Sequence, residues 1–148
     1  MATLAAAELL YDALYQWDKQ GSLQVTSLSL PFFRDLIADI KPAVYPKSTP
    51  AYQNITSAVR TYADGFISVV QEYTPATGAL SEEFDRKAGT QVPAPDLTWS
   101  YASFSTAVAR RNGSAPASWG SSAALAVPER CRGTTMKGNY AAPGPSSW

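Results

Sequence analysis

The amino-acid sequence predicts an all-α protein that ends in an extended tail. Apolar residues recur at three- and four-residue intervals in four segments, which is the spacing of an amphipathic helix. Proline and glycine separate these segments. Of the 148 residues, 45% are hydrophobic and only 16% are charged, which suits a chain with an apolar interior. Helix, loop and helix follow one another twice, so we expect two helical hairpins.

The first predicted helix runs from about Thr3 to Lys19. Thr3 is its expected N-cap, and Gly21 is its expected stop because glycine readily adopts the left-handed conformation that ends helices. Three consecutive alanines leave room for a neighbouring helix to approach closely. The apolar stripe of this helix consists of Leu10, Ala13, Leu14 and Trp17.

A second, shorter helix is expected to start at Ser29 and to end before Pro42. Its apolar residues are Phe33, Leu36, Ile37 and Ile40. The residues before it are interpreted as a short polar connection. The prolines that follow it, up to Pro50, predict an irregular loop, since the residue before each proline is kept out of the helical conformation.

The third predicted helix is the longest of the four. Thr49 is its expected cap, Pro50 fits its first turn, and Pro75 follows its end. Gly65 lies inside it and lowers its helix propensity. Its apolar stripe consists of Tyr52, Ile55, Val59, Tyr62, Phe66, Val69 and Tyr73.

A second loop, 74–95, leads to a fourth helix that Asp96 is expected to cap and that ends near Asn112. Its stripe consists of Leu97, Tyr101, Phe104 and Val108. From Gly113 onward the sequence is rich in Ser, Ala, Pro and Gly and has no period. We therefore divide the chain into a helical part, 1–112, and an extended tail of the same domain, 113–148.

The composition excludes several classes of function. Twelve basic and twelve acidic residues give zero net charge, which argues against nucleic acid as a partner. No apolar run approaches the roughly 20 residues that span a bilayer, and the amino terminus lacks the features of a secretory signal. Histidine is absent and Cys131 is the single cysteine, so the usual catalytic base and a thiolate zinc site are missing. Carboxylates are therefore the leading candidates for acid–base chemistry.

Three acidic residues, Glu82, Glu83 and Asp85, lie close together in the second loop. The pattern leaves two interpretations open. A loop of this kind is most often a solvated surface, but a scaffold can also hold a loop carboxylate at a cleft. The sequence also contains two N-glycosylation sequons, which begin at Asn54 and Asn112.

Several runs of sequence resemble the late part of the catalytic domain of fungal glucoamylases. The similarity extends over nearly all of the chain, and the long matching runs make it specific. The runs are Thr3-Leu4-Ala5-Ala6-Ala7-Glu8, the stretch 10–23, Tyr62-Ala63-Asp64-Gly65-Phe66, Leu80-Ser81-Glu82 with Asp85, Asp96-Leu97-Thr98-Trp99-Ser100-Tyr101, and Pro116-Ala117-Ser118-Trp119-Gly120.

The resemblance implies an (α/α)6 toroid of six helical hairpins, of which this chain is about the last third. It implies a secreted, inverting glycoside hydrolase that releases glucose from the nonreducing ends of starch-like α-glucans, with no metal or organic cofactor. It also implies that Cys131 forms a disulfide with a cysteine outside this chain.

The resemblance further implies that Glu82 is the general base. Glu83 stands where these enzymes often have glutamine, and Phe84 replaces a common tyrosine, so the immediate neighbours of Glu82 depart from the family pattern. Trp99 lies close in sequence to this loop and is a candidate wall of the sugar site. Asn54 and Asn112 become glycan acceptors if the protein is secreted.

The family's general acid and most of its sugar-binding residues come from earlier hairpins that are absent here. We therefore expect the chain alone to lack glucoamylase activity. The alternative is a non-catalytic helical fragment that acts in binding or self-association, because hairpins taken from a toroid leave apolar faces exposed. A weaker alternative is a carbohydrate-binding fragment that uses Trp99 and the tail.

Overall fold

A computed structural model describes residues 2–92 and 94–114. Nearly all of the predicted tail, including Cys131, lies outside these residues. The described part is mainly helical, as predicted. Its elements are α1 (Ala2–Gln20), β1 (Ser22–Val25), α2 (Leu30–Leu36), β2 (Ala43–Pro46), α3 (Pro50–Tyr73), β3 (Glu83–Phe84), β4 (Gln91–Val92) and α4 (Thr98–Arg111).

The first helix is confirmed, but its predicted N-cap is wrong. Thr3 is already helical because α1 includes Ala2. Gly21 ends the helix as expected: its φ is +72°, and its amide donates to the carbonyl of Asp18 at 3.2 Å. A residue with a Cβ is strained in this left-handed region, so the sequence signal for the stop was physically sound.

Two stretches predicted as connection and loop instead contain a short antiparallel ladder. Strands β1 and β2 pair from Ser22 opposite Pro46 to Val25 opposite Ala43. Leu23 and Val25 are 1% and 2% exposed, while Gln24 between them is exposed. Alternate burial is what a strand with one face on a core produces. One face of β1 therefore packs on the helical core.

The second helix begins at Leu30, directly after the expected start at Ser29, and ends at Leu36, earlier than expected. Ile37 is extended, with φ −143° and ψ 105°. Ile40 lies beyond the helix yet is only 5% exposed, so it enters the core from the following turn. The apolar spacing predicted which residues are buried and overestimated how far the helical backbone continues.

The third helix confirms its predicted start and end. The Thr49 side chain accepts a hydrogen bond from the Tyr52 amide at 3.3 Å and donates one to the carbonyl of Pro46 at 2.7 Å. Pro50 occupies the first turn, where its missing N–H costs nothing. The helix ends at Tyr73, two residues before Pro75, so both proline signals were informative.

The fourth helix is confirmed, but Asp96 does not cap it. The residue at the cap position is Leu97, without a side-chain hydrogen bond to the helix. Asp96 has a φ of +62°, and its carboxylate accepts a hydrogen bond from the Tyr101 hydroxyl at 2.5 Å. The acidic residue therefore stabilises the first turn through a side chain rather than through the exposed backbone amides.

Helix α1 lies against both α3 and α4, and α2 packs against α3. Small residues occupy these contacts: Ala7, Ala63 and Ala107 are each 0% exposed. Alanine at such positions lets helix axes approach closely, as the alanine-rich start of α1 predicted. The main core also includes Tyr11, Leu14, Leu23, Val25, Phe33, Tyr52, Ile55 and Val59.

A polar network joins the three long helices at the edge of this core. The Tyr11 hydroxyl donates to the carboxylate of Asp64 at 2.6 Å, and Arg111 Nε donates to the same oxygen at 2.8 Å. The Arg111 hydrogen bond is the main reason that the pKa of Asp64 lies below its ordinary value. Burial, together with the hydrogen bond to Asp64, raises the pKa of Tyr11 to about 12.

Candidate active site

The second loop, called here the acidic loop because it contains Glu82, Glu83 and Asp85, connects α3 to α4. It includes the short strands β3 and β4. Glu82 and Glu83 are both exposed, and Glu82 borders a crevice of about 30 Å³. This volume holds about one water molecule, so the described residues form no space for a sugar ring there. The crevice is lined by Thr3, Leu4, Val70, Tyr73, Thr74, Leu80, Ser81, Glu82, Glu83, Phe84, Gln91 and Ser100.

Asp85, the third acidic residue of the loop, has a local structural role. Its carboxylate accepts hydrogen bonds from the amides of Lys87 and Ala88 at 2.8 and 2.7 Å. These backbone donors hold the pKa of Asp85 below its ordinary value. The Asp85 amide donates to the carbonyl of Thr90, which closes the β3–β4 hairpin. Asp85 therefore stabilises the turn between β3 and β4.

The hairpin after Glu82 is fixed against the end of α3 by aromatic contact. Phe84 stacks on Tyr73, with ring centroids 5.1 Å apart and ring planes 26° apart. Gly89 also lies against Tyr73: its φ is +68°, and a Cβ built on it would come within 2.1 Å of the Tyr73 ring. Glycine is therefore required at this position for two independent reasons. Phe84 packs without needing a phenolic hydroxyl.

Gln91, which the sequence analysis did not single out, ties the same hairpin to the chain that enters the loop. Its side-chain amide donates to the carbonyl of Ala79 at 2.8 Å and to that of Tyr73 at 3.3 Å. A lone glutamine in a loop gives no sequence signal of this kind. The two hydrogen bonds connect Gln91, which follows Glu82, to Tyr73 and Ala79, which precede it.

The remaining predicted site residues do not gather at the crevice. Trp99 is 54% exposed on the first turn of α4 and is not part of the crevice lining. Asn54 is exposed within α3, and Asn112 is exposed directly after α4. Within residues 2–92 and 94–114, no group of three or more potential ligand side chains converges as a metal site requires. Over the same residues, no helix is long and apolar enough to cross a membrane.

Curated relatives of this chain are fungal glucoamylases. The chain is 52% identical over 141 residues to the glucoamylase of Neurospora crassa and 49% identical over 140 residues to glucoamylase-1 of Arthroderma benhamiae. Each alignment covers 95% of this chain but only 22% and 23% of the respective relative. The chain therefore spans less than a quarter of the length of these proteins.

Solved structures show the same relationship. The family 15 glucoamylase from Hypocrea jecorina matches with a TM-score of 0.76 and 50% identity, over 99% of this chain and 24% of that chain. The glucoamylase from Saccharomycopsis fibuligera matches with a TM-score of 0.70 at 21% identity, which shows the fold alone. These matches confirm that the helices belong to an (α/α)6 toroid.

A family model described as glycosyl hydrolases family 15 matches residues 1–109. The match includes α1, α3, the acidic loop and nearly all of α4, so it covers the elements that hold Glu82. This chain belongs to glycosyl hydrolase family 15.

Proposed function

We propose that this chain supplies the general base, Glu82, of a glucoamylase-type hydrolase that releases glucose from the nonreducing ends of starch-like α-glucans with inversion. The observation that carries the proposal is the position of Glu82. Its motif, Leu80-Ser81-Glu82, resembles the family's base segment, and the residue is exposed between two parts of the loop that hydrogen bonds hold in place. An exposed carboxylate on a fixed backbone suits proton transfer from water.

In the proposed reaction, the Glu82 carboxylate accepts a proton from a water molecule as the water oxygen bonds to the anomeric carbon. The glycosidic oxygen leaves from the opposite face and takes a proton from a general acid outside this chain. Inversion requires the two carboxyl groups to stand roughly 6.5–9.5 Å apart, which leaves room for the water. No metal or organic cofactor takes part in this chemistry.

Two neighbouring groups complete the proposal. Trp99 presents an exposed indole on the first turn of α4, one residue before Ser100 of the crevice, and we assign it to one wall of the sugar site. Glu83 begins the β3–β4 hairpin opposite Val92, and Phe84 anchors that hairpin on Tyr73. These two residues support the backbone beside Glu82 rather than contacting substrate.

The test compares two proteins. One is the 148-residue chain alone, and the other is the Hypocrea jecorina glucoamylase with its matching segment replaced by residues 1–148, called here the glucoamylase chimera. We expect no glucose release from maltose by the chain alone and release of β-glucose, followed by NMR, by the chimera. Release of α-glucose by the chimera, or hydrolysis by the chain alone, would contradict the proposal.

The alternative, a non-catalytic helical fragment that self-associates, is favoured by one observation. An open groove of about 580 Å³ runs between α2 and α3. Most of its lining is apolar: Leu36, Ala58, Tyr62, Gly65, Phe66 and Val69, with Asp35 and Thr61 beside them. Exposed patches of this kind favour association. Concentration-dependent sedimentation of a folded but inactive chain, together with an inactive chimera, would support this alternative.

Secretion and N-glycosylation complete the proposed function. Of the two sequons, Asn112-Gly113-Ser114 follows the end of α4 and has a φ of +77° at Gly113, whereas Asn54 and Thr56 both lie inside α3. Glycan acceptors are surface-loop residues, so we expect Asn112 to be the better site. To test whether Asn112 is the better site, the chimera is secreted from a yeast as Asn112→Gln and Asn54→Gln variants. The mass of each variant is compared before and after glycan removal.

A further inference from the structure

The first turn of α4 contacts the two residues that precede Glu82. The Leu97 amide donates to the Leu80 carbonyl at 2.9 Å, and the Leu80 amide donates to the Tyr101 hydroxyl at 3.1 Å. The start of α4 therefore binds both backbone groups of Leu80: the cap residue Leu97 binds its carbonyl, and Tyr101 binds its amide. The Leu80 side chain is 9% exposed and packs in the same cluster as Ala107 of α4.

Ser100 makes the third contact from this turn. It is a buried polar residue, only 2% exposed, and its hydroxyl donates to the Ser81 carbonyl at 2.8 Å. The Ser81 carbonyl and the Glu82 amide belong to one planar peptide unit. The Ser100 hydrogen bond therefore restrains the peptide plane that ends at the Cα of Glu82, the atom that carries its side chain.

The chain is also held on the other side of Glu82. The Ser81 hydroxyl reaches across to donate to the Glu83 carbonyl at 2.6 Å. Glu83 and Phe84 then pair with Val92 and Gln91 in the β3–β4 ladder. Glu82 is thus a single residue between a segment held by α4 and a segment held by a hairpin.

We propose that the first turn of α4 positions the backbone that carries the Glu82 carboxylate, with Ser100 and Tyr101 as its positioning residues. This inference rests on the proposed role of Glu82 as general base. A base must be placed to within a fraction of an ångström of its water, and a misplacement of about 1 Å costs on the order of 100-fold in rate. Neither side chain needs to touch substrate, because each acts through the backbone that carries Glu82.

The test uses the glucoamylase chimera with maltose as the substrate. Ser100→Ala is expected to lower kcat about 10- to 100-fold while KM changes less than about threefold. Ser105→Ala is the matched control, because its hydroxyl donates to the Tyr101 carbonyl within the same helix and reaches no residue of the loop. We expect Ser105→Ala to retain both constants within about twofold.

A second background separates positioning from a general loss of structure. In a Glu82→Gln chimera the base is already absent, so adding Ser100→Ala should lower the residual kcat by less than about twofold. An equal loss in both backgrounds would overturn the inference, as would an unchanged kcat in Ser100→Ala alone. Full activity of Glu82→Gln would instead overturn the proposed function itself.

Tyr101→Phe provides an independent variant if Ser100→Ala fails to fold. It removes both the acceptor of the Leu80 amide and the donor to the Asp96 carboxylate, and it leaves the ring in place. A lower kcat with unchanged KM and unchanged melting temperature would support the inference. An unchanged kcat in this folded variant would contradict it.

Discussion

Replacing Glu82 by glutamine in the glucoamylase chimera is expected to lower kcat about 10²- to 10⁴-fold. Glutamine has nearly the shape of glutamate but cannot accept the proton of the attacking water. The substrate pocket is supplied mainly by the host enzyme, so KM should change little. Steady-state glucose release from maltose, measured beside the melting temperature, tests this expectation.

Glu83→Gln is the matched control for this substitution. Glu83 is next in sequence, is also a glutamate and is also exposed, yet it lies in β3 opposite Val92. We expect its kcat to stay within about threefold of the unchanged chimera. If Glu83→Gln lost activity and Glu82→Gln kept it, the general base would be assigned to the wrong acid.

Replacing Tyr11 by alanine is expected to lower the free energy of unfolding by about 3–5 kcal/mol, the usual cost of removing a buried aromatic side chain. Tyr11 is 1% exposed in the main core, and the Arg60 guanidinium lies 5.9 Å from its ring centre. The substitution also removes a donor to Asp64. Urea unfolding of the 148-residue chain measures the loss.

Two further variants test this assignment: one is a control at an exposed tyrosine, and the other removes only the hydroxyl of Tyr11. Tyr15→Ala, one turn later on α1 and 39% exposed, should cost about 1 kcal/mol or less. Tyr11→Phe keeps the ring, so it should cost about 1–3 kcal/mol, the contribution of a hydrogen bond to a charged group. A loss in Tyr15→Ala as large as in Tyr11→Ala would contradict the placement of Tyr11 in the core.

The contribution of the Tyr11 hydroxyl also depends on pH. The pKa of Tyr11 is raised to about 12 in the folded chain, whereas an unfolded tyrosine titrates near pH 10. The stabilisation is therefore fully present below about pH 10 and is lost as the pH rises toward 12. The stability difference between the unchanged chain and Tyr11→Phe should narrow over that window.

The helices were predictable where side-chain spacing and end signals agreed. In α3, Thr49, Pro50 and Pro75 bracket a single long stripe, and the structure follows all three. The end of α2 was harder, because Ile40 is buried from a non-helical turn and so continues the apolar spacing past the helix. The spacing of apolar residues indicates which residues are buried. It does not show where the helical backbone ends.

The β1–β2 ladder was missed because its two strands are distant in sequence, and the β3–β4 ladder because each of its strands has only two residues. Strand β1 is four residues long and pairs with β2 across α2, so neither strand carries enough alternation to be recognised alone. In the candidate site, Glu82 came from a family resemblance, whereas Ser100 and Gln91 had no signal. Their importance comes from the backbone groups they bind, and these depend on the folded loop.

The packing of α1 between α3 and α4 has a consequence for how the protein folds. The hydrogen bond from Thr106 to Glu8 joins residues 98 positions apart, and α1 contacts both later helices. At a synthesis rate of roughly 5–20 residues per second, about 5–20 s pass between the appearance of Glu8 and that of Thr106. During that interval the apolar stripe of α1 has no native partner from α4. Part of the apolar surface of α1 is therefore exposed to chaperones and to aggregation until α4 has been made.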